Sequence, residues 1–351
     1  RTAIAEYKVN LSTNISPTND QDLDGKSITL GLDIKSNSLY EIESFFSLMD
    51  RYDFLSKDLM NGSFNLHSQI SGELNNLNIE QFNFLYSDSL QIIARGRIQE
   101  LMEPDSQEME FQFDRLMVPK SLLEIAWDKL ITDSSFSVPD YLLVDGVYNS
   151  SKAEHNFSGN IESNAGEIKV QQASANLGSI PDYNLTASAN LLHLHTIQDI
   201  DLDNIAFRMN ARFKGEDIYT ADAFIDISLD SLTYGNYEYG NLDISGELNR
   251  GQFDAKIKSS DTNFLFSLST AGEFFENNLK ASVDTDVEHI DLEFLNIYDE
   301  ATGIDGKVAF NILLLDQNSF AINSVIHELN LSLSDTLYQL PPAQLSFETT
   351  D

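Results

Sequence analysis

Residues 223–268 read AFIDISLDSLTYGNYEYGNLDISGELNRGQFDAKIKSSDTNFLFSL, and apolar side chains recur there at alternate positions. Ile225, Ile227 and Leu229 fall on one side of an extended chain, whereas Asp226 falls on the other. A period of two is the signature of β-strands that bury one face. A polar second face indicates antiparallel sheets, because parallel strands are usually buried on both sides. The stretch therefore predicts a mainly β fold of antiparallel strands.

The same alternation recurs along the chain, for example in residues 185–191 and 329–333. A glycine followed two residues later by an apolar residue also recurs, and it is interpreted as a turn that opens the next strand. These glycines are Gly72, Gly96, Gly146, Gly159, Gly246, Gly272 and Gly306. Their irregular spacing indicates a loose structural repeat and favours stacked units over one closed globule. We expect one elongated, curved sheet.

Two segments depart from the β pattern. Residues 39–52 and 119–131 carry apolar side chains at helical spacing, and the second opens with Pro119, which suits a first helical turn. Both are predicted to be short helices that cover sheet ends or edges and so protect strands from stray pairing.

Composition excludes several classes of function. The chain has 351 residues, no cysteine and a formal net charge of −35. That charge repels nucleic acids and anionic membrane surfaces, so no nucleic-acid partner is expected. The missing cysteines exclude disulfides and thiolate metal sites, and they favour a reducing cytosol or a bacterial envelope.

The ends of the sequence indicate a piece of a longer protein. The chain starts at Arg1 without a methionine, and its longest apolar stretch, residues 312–315, is far shorter than the roughly 20 residues that span a bilayer. We expect residues 1–351 to be a middle segment, with any membrane anchor lying outside it.

One acidic motif resembles half of a calcium loop. Asp20, Asp22 and Asp24 are followed by Gly25, as in the first half of such a loop, but the twelfth position holds Gly31 where a bidentate acid is needed. The motif is therefore a weak calcium candidate. We interpret it as an acidic turn before a strand and predict no metal site.

Catalytic motifs are absent from the sequence. His193 and His195 are predicted to point the same way on a strand, which begins a zinc site but needs a further ligand. Acidic and apolar residues alternate at Asp199, Asp201 and Asp203, and we interpret these aspartates as the solvent-exposed face of a strand. No nucleotide-binding or hydrolase fingerprint occurs, so neither an enzyme nor a cofactor is predicted.

Taken together, the repeated strands resemble the TamB and AsmA-like family of envelope proteins. Residues 230–274 are similar to a repeat of that family: an aromatic hairpin, an L-x-I-x-G-x-L strand and a D-x-N turn at 261–263. Residues 138–170 and 279–297 are similar in style. The resemblance covers most of the chain.

The resemblance implies both a fold and a function. Family members form a trough with an apolar inside, the β-taco, and cross the periplasm of Gram-negative bacteria from an N-terminal helix in the inner membrane. They are implicated in moving phospholipids between the two membranes and, with a barrel partner in the outer membrane, in protein assembly there. For this chain the resemblance implies a periplasmic, lipid-carrying bridge segment whose anchor and barrel contacts lie outside it.

An alternating sheet can shelter acyl chains in a groove if its apolar face stays open. The candidates to line such a groove are apolar side chains within residues 223–268. The candidates are Ile225, Ile227, Leu229, Leu242, Ile244, Phe253, Ile257, Phe264, Phe266 and Leu268. Alternation alone is also compatible with a β-sandwich core, and the residues by themselves favour that core. The resemblance to the family shifts the preference to the open trough. An extracellular adhesin or carbohydrate-binding module, with tyrosines around a turn at 234–239, and a structural spacer are the alternative functions.

Overall fold

The alternating stretches fold as antiparallel β-strands, so the prediction of a mainly β fold with few helices is confirmed. Contacts divide the chain into two units, residues 1–164 and 165–351. The computed structural model describes residues 6–14, 27–36, 62–73, 75–87, 89–101, 106–124, 137–196, 202–275, 278–295, 297–298, 302–314, 320–334 and 336–349.

The first unit is a meander in which each strand pairs with the next one along the chain. Its strands are β1 (Glu6–Asn14), β2 (Ser27–Ser36), β3 (Phe64–Glu73), β4 (Asn76–Tyr86), β5 (Leu90–Gln99), β6 (Glu108–Pro119), β7 (Tyr141–Ser151) and β8 (Glu154–Ser163). Every pairing is antiparallel, as the polar second faces of these strands predict.

The second unit continues in the same manner from β9 to β18, and β18 then pairs with both final strands. Its strands are β9 (Gly166–Asn176), β10 (Asp182–Leu192), β11 (Leu202–Lys214), β12 (Asp222–Tyr234), β13 (Tyr237–Asn249), β14 (Gln252–Asp261), β15 (Phe264–Phe275), β16 (Asn278–Asp291), β17 (Thr302–Leu314), β18 (Phe320–Leu333), β19 (Thr336–Leu340) and β20 (Ala343–Thr349).

Bulges bend the sheet of the first unit. The register shifts between Ile79 and Phe82, between Ile93 and Ala94, and again after Phe113. Phe82, Ala94 and Phe113 are cross-strand neighbours, so the irregularities lie side by side across β4 to β7. Because an extra residue bends a strand and increases its twist, an aligned series of bulges curves the sheet along one line.

The recurring glycines lie inside strands, so their interpretation as turns was wrong. Gly96 lies in β5 and Gly272 in β15, each opposite an aromatic residue of a neighbouring strand. A Cβ added at Gly272 would lie 2.5 Å from the ring of Phe253, and one at Gly96 would lie 2.7 Å from the ring of Phe111. The missing side chain therefore makes room for a ring to lie across the backbone, a pairing that stabilises glycine within sheets.

Helical structure is scarce in the described part of the chain. Residues 120–124 are helical, whereas Pro119 ends β6 and does not open the helix as expected. Predicted helix 39–52 and the remainder of predicted helix 119–131 lie outside the described residues. None of the described helices is long and apolar enough to cross a membrane.

The histidine pair does not lie on a strand, which corrects a second prediction. Strand β10 ends at Leu192, and a 3-10 turn follows at Leu194–Thr196. His193 therefore occupies the link between strand and turn, and His195 lies inside the turn.

Replacing Gly272 with alanine tests the role of the glycines within strands. The new methyl group would lie 2.4 Å from the carbonyl oxygen of Lys280 as well as against the Phe253 ring, so we expect Gly272→Ala to destabilise the chain by about 1–3 kcal/mol. Gly240→Ala is the control, because its nearest neighbour is 3.7 Å away. Urea-denaturation midpoints compare the two, and equal midpoints would contradict the close packing.

Candidate functional site

The predicted lining residues all come to one face of the second unit. Antiparallel pairing aligns them in rows that cross the strands, one of which runs Met209, Ile227, Ile244, Ile257, Leu268 from β11 to β15. The ten predicted residues on this face are Ile225, Ile227, Leu229, Leu242, Ile244, Phe253, Ile257, Phe264, Phe266 and Leu268. We refer to this side of the sheet from β10 to β20 as the apolar face.

The apolar face continues beyond the stretch that predicted it. The row through Leu268 extends across β16 to β18 as Thr285, Val308 and Ile326, and a parallel row contains Phe310. Adjacent strands are about 4.8 Å apart, so the nine strands from β10 to β18 span about 38 Å. Alternation in residues 302–314 and 320–333 was the sequence signal for this extension.

The side chains of the apolar face are half-buried, which distinguishes them from a sandwich core. None of the ten predicted residues is buried, and Ile225 is 38% exposed. Among the described residues of the second unit no aromatic side chain is buried; the buried apolar ones are Ala165, Val170, Ala187, Ala189, Leu192, Ile205, Ala221, Ala281 and Leu295. Two facing sheets would bury large alternate side chains from both. Neighbours within the sheet thus provide the partial cover.

Exposure of the apolar face is greatest at its last strand. Leu345 and Phe347 of β20 are 59% and 60% exposed, although they pair with Ser324 and Ile322 of β18 in rows of the same face. Contiguous apolar surface of this kind marks an interaction site or a lipid-binding groove in soluble proteins.

The opposite face is polar and solvated. Arg208 contacts Asp230 at 2.8 Å, and Lys307 contacts Asp286 at 2.7 Å, with all four side chains exposed to water. The Asp286 carboxylate raises the pKa of Lys307 by hydrogen bonding and by charge. Exposed pairs of this type add little to stability. The sheet of the second unit therefore has one solvated, polar side and one apolar side.

Two depressions among the described residues have polar side chains in their walls, although Phe253 of the apolar face also lines one of them. One of about 580 Å³ is lined by Gln252, Glu273, Lys280 and Asn311 among others. Another, of about 430 Å³ in the first unit, includes His67 and other polar side chains. Apolar side chains such as Leu66 and Phe84 in the second depression, and Ile312 in the first, give both of them mixed walls.

Aromatic rings border the apolar face at one end of its strands. Tyr237, Tyr239, Phe264 and Phe266 form a continuous series with ring centroids 4.6, 5.4 and 4.8 Å apart. Burial is the main cause that raises the pKa of both tyrosines. Tyr237 and Tyr239 are half-buried in this series, whereas Tyr234 is 55% exposed.

A buried carboxylate, which sequence reasoning did not single out as a site, holds this aromatic end together. Asp261 accepts hydrogen bonds from the Tyr237 hydroxyl at 2.5 Å, from the Gly240 N–H at 3.0 Å and from the Asn263 N–H at 2.9 Å. The side-chain amide of Asn263 also donates to the Tyr237 oxygen at 3.3 Å. The D-x-N turn at 261–263 was the only sequence signal, and its function is to link β13, β14 and β15.

Asp20, Asp22 and Asp24, the weak calcium candidate, lie outside the described residues. No family model matches the chain, and neither a curated protein nor a solved structure matches it. The functional argument therefore depends on the geometry of the apolar face and on the sequence resemblance.

Removing the Asp261 carboxylate tests the link between the three strands. Asp261→Ala leaves three donors without their acceptor, and since each buried unsatisfied group costs about 1–3 kcal/mol, we expect destabilisation of at least about 2 kcal/mol. Tyr237→Phe removes one donor and should cost less. Asp254→Ala, on the exposed side of β14, is the control. Thermal and urea unfolding measure all three, and an Asp261→Ala variant as stable as the control would contradict this role.

Proposed function

We propose that this chain is a lipid-carrying segment of a bridge between two membranes, with phospholipid acyl chains lying on the apolar face. The observation that carries the proposal is the series of apolar, mostly half-buried side chains on one face from β11 to β20, in which Thr285 is a polar member of one row. Leaving that surface in water costs about 25 cal/mol for each Å². A bound hydrocarbon would remove this hydration cost wherever it covers the apolar face.

A sheet face suits hydrocarbon because its backbone groups are already paired. Away from the bulges, the N–H and C=O groups of β10 to β18 bond within the sheet, so the face offers mainly side chains to a ligand. An acyl chain forms no hydrogen bonds, and any unpaired polar group that it covered would be penalised. The antiparallel ladder therefore supports a purely apolar contact surface.

The length of the apolar face suits transfer as well as binding. A bilayer core of about 30 Å holds two acyl chains end to end, so one chain extends about 15 Å. The face spans about 38 Å across nine strands, which is more than twice that length. Because apolar side chains recur on successive strands of the face, we propose that lipid moves along it from strand to strand.

The remainder of the proposal comes from the resemblance to TamB and AsmA-like proteins. It places the chain in the periplasm of a Gram-negative bacterium, as a middle segment of a protein anchored in the inner membrane by an N-terminal helix. A barrel protein of the outer membrane is the proposed partner, and support of outer-membrane protein assembly is a second role. The net charge of −35 keeps the polar side soluble and away from anionic membrane surfaces.

A charge placed on the apolar face should abolish lipid binding without unfolding the chain. Phe266→Asp introduces a carboxylate that hydrocarbon would have to desolvate, whereas the half-buried position leaves it within reach of water in the lipid-free protein. We expect at least tenfold weaker binding of cis-parinaric acid, which corresponds to about 1.4 kcal/mol. Mass spectrometry of lipid extracted from the purified chain gives an independent readout.

Ser267→Asp is the matched control, because it adds the same charge to the same strand on the polar face. Ser267 lies between Lys258 and Asp286, so the new carboxylate meets charges of both signs. This variant should bind the probe as the unchanged chain does. If the unchanged chain binds no acyl probe and yields no lipid, it is a spacer; binding of a glycan panel instead would favour the carbohydrate module. If Phe266→Asp unfolds, the face is a closed core.

A further inference from the structure

The two histidines of the β10–β11 connection converge on one carboxylate. The Nδ1 atom of His193 lies 2.6 Å from Oδ1 of Asp203, and Nδ1 of His195 lies 3.1 Å from the same oxygen. The ligand atoms of the three side chains all lie within 4.8 Å of one another. Among the residues that the structure describes, no other group of three or more candidate metal ligands lies so close together.

A packed turn holds the two imidazoles in place. Leu194, between them, packs against the buried side chains of Ala189, Leu192 and Ile205. The N–H of His193 donates to the carbonyl oxygen of Ala165 at 2.7 Å. The backbone carbonyl oxygen of His193 accepts a hydrogen bond from the Thr196 hydroxyl, also at 2.7 Å. The ring planes meet at 70° with centroids 6.0 Å apart, and each ring directs its Nδ1 atom toward Oδ1 of Asp203.

A bulge at the start of β11 positions the carboxylate. The pairing of β11 with β12 shifts register between Asp203 and Ala206, and Asn204 there has a φ of 49°. The side-chain amide of Asn204 donates to the Thr233 hydroxyl at 3.3 Å, and the backbone carbonyl oxygen of Asn204 accepts from the Ser231 hydroxyl at 3.2 Å. Bulges redirect side chains next to functional sites, and this one is fixed by contacts on both sides.

We propose that His193, His195 and Asp203 bind a divalent metal ion, for which Zn²⁺ is the best chemical match. Two imidazole nitrogens and one carboxylate oxygen are ligands that zinc takes in proteins, and three protein ligands leave one position for water. Ligands about 2.0 Å from a tetrahedral ion lie about 3.3 Å apart, so Oδ1 of Asp203 needs to separate from each Nδ1 atom by less than 1 Å. The ligand nitrogens of the two rings, which lie within 4.8 Å of each other, need to reach the same spacing. The ion would replace the protons between the rings and Oδ1, with each ring keeping its proton on Nε2.

The proposed site differs from an ordinary pair of a histidine with an aspartate. His67 contacts Asp33 at 2.5 Å in the first unit, but no third ligand joins them among the described residues. Among the described residues this pair offers two ligands, fewer than the three protein ligands of a zinc site. It therefore serves as the internal control for the test.

Zinc titration of the whole chain by calorimetry, after removal of metals with a chelator, tests the proposal. We expect one Zn²⁺ for each chain and a weakening of at least about tenfold in His195→Gln and in Asp203→Asn, since even ligand-supporting groups change affinity by about that much. His67→Gln should bind as the unchanged chain does. The His195 ring is 53% exposed, so His195→Gln is the variant least able to disturb folding.

Cobalt substitution provides a readout that a hydrogen-bonded cluster alone would not give. Co²⁺ bound by two imidazoles and a carboxylate in tetrahedral geometry should produce visible absorption in the unchanged chain and in His67→Gln, and none in His195→Gln. Circular dichroism confirms that each variant is folded. A chain that binds zinc no more tightly than its folded His195→Gln variant, or an equal loss in His67→Gln, would overturn the proposal and leave a cluster that only orders the turn.

Discussion

Antiparallel pairing in one register is the constraint on which the rest of this protein depends. Side chains alternate between the two faces of a strand, so a shift of β12 by one residue would move Ile227 to the polar side and away from Ile244. Here the pairing keeps them opposite each other, and the same register continues through β14 and β15 to Ile257 and Leu268. Hydrogen bonding between strands and burial of apolar surface thus require the same alignment.

Departures from regular pairing shape the sheet and create its local sites. Glycines within strands admit aromatic rings across the backbone, as Gly272 does for Phe253. Bulges curve the first unit along one line and, in the second, direct Asp203 toward two histidines. Asp261 supplies an acceptor where three strands meet. In each case an irregularity is balanced by a specific contact, so the regular ladder can continue on either side.

The apolar face joins stability to the proposed function. Partial burial against in-sheet neighbours stabilises the strands, yet the remaining exposure leaves free energy that a hydrocarbon ligand can gain. A more complete core would be more stable but would offer nothing to bind. The acidic, solvated opposite side keeps such a surface in solution, and the tyrosines and phenylalanines at one end of the strands close the packing there.

The sequence by itself determined the strands, their antiparallel arrangement and the membership of the apolar face, because period-two alternation depends only on neighbours along the chain. It did not determine the place of the glycines, since a residue without a side chain suits both a turn and a strand crossed by a ring. Nor did it separate an open face from a sandwich core, which have the same alternation and differ only in what covers them. The convergence of His193, His195 and Asp203 likewise depended on tertiary structure, because alternation had placed these side chains on separate strands. A turn and a bulge bring them together, and packing and hydrogen bonds to other strands stabilise both features.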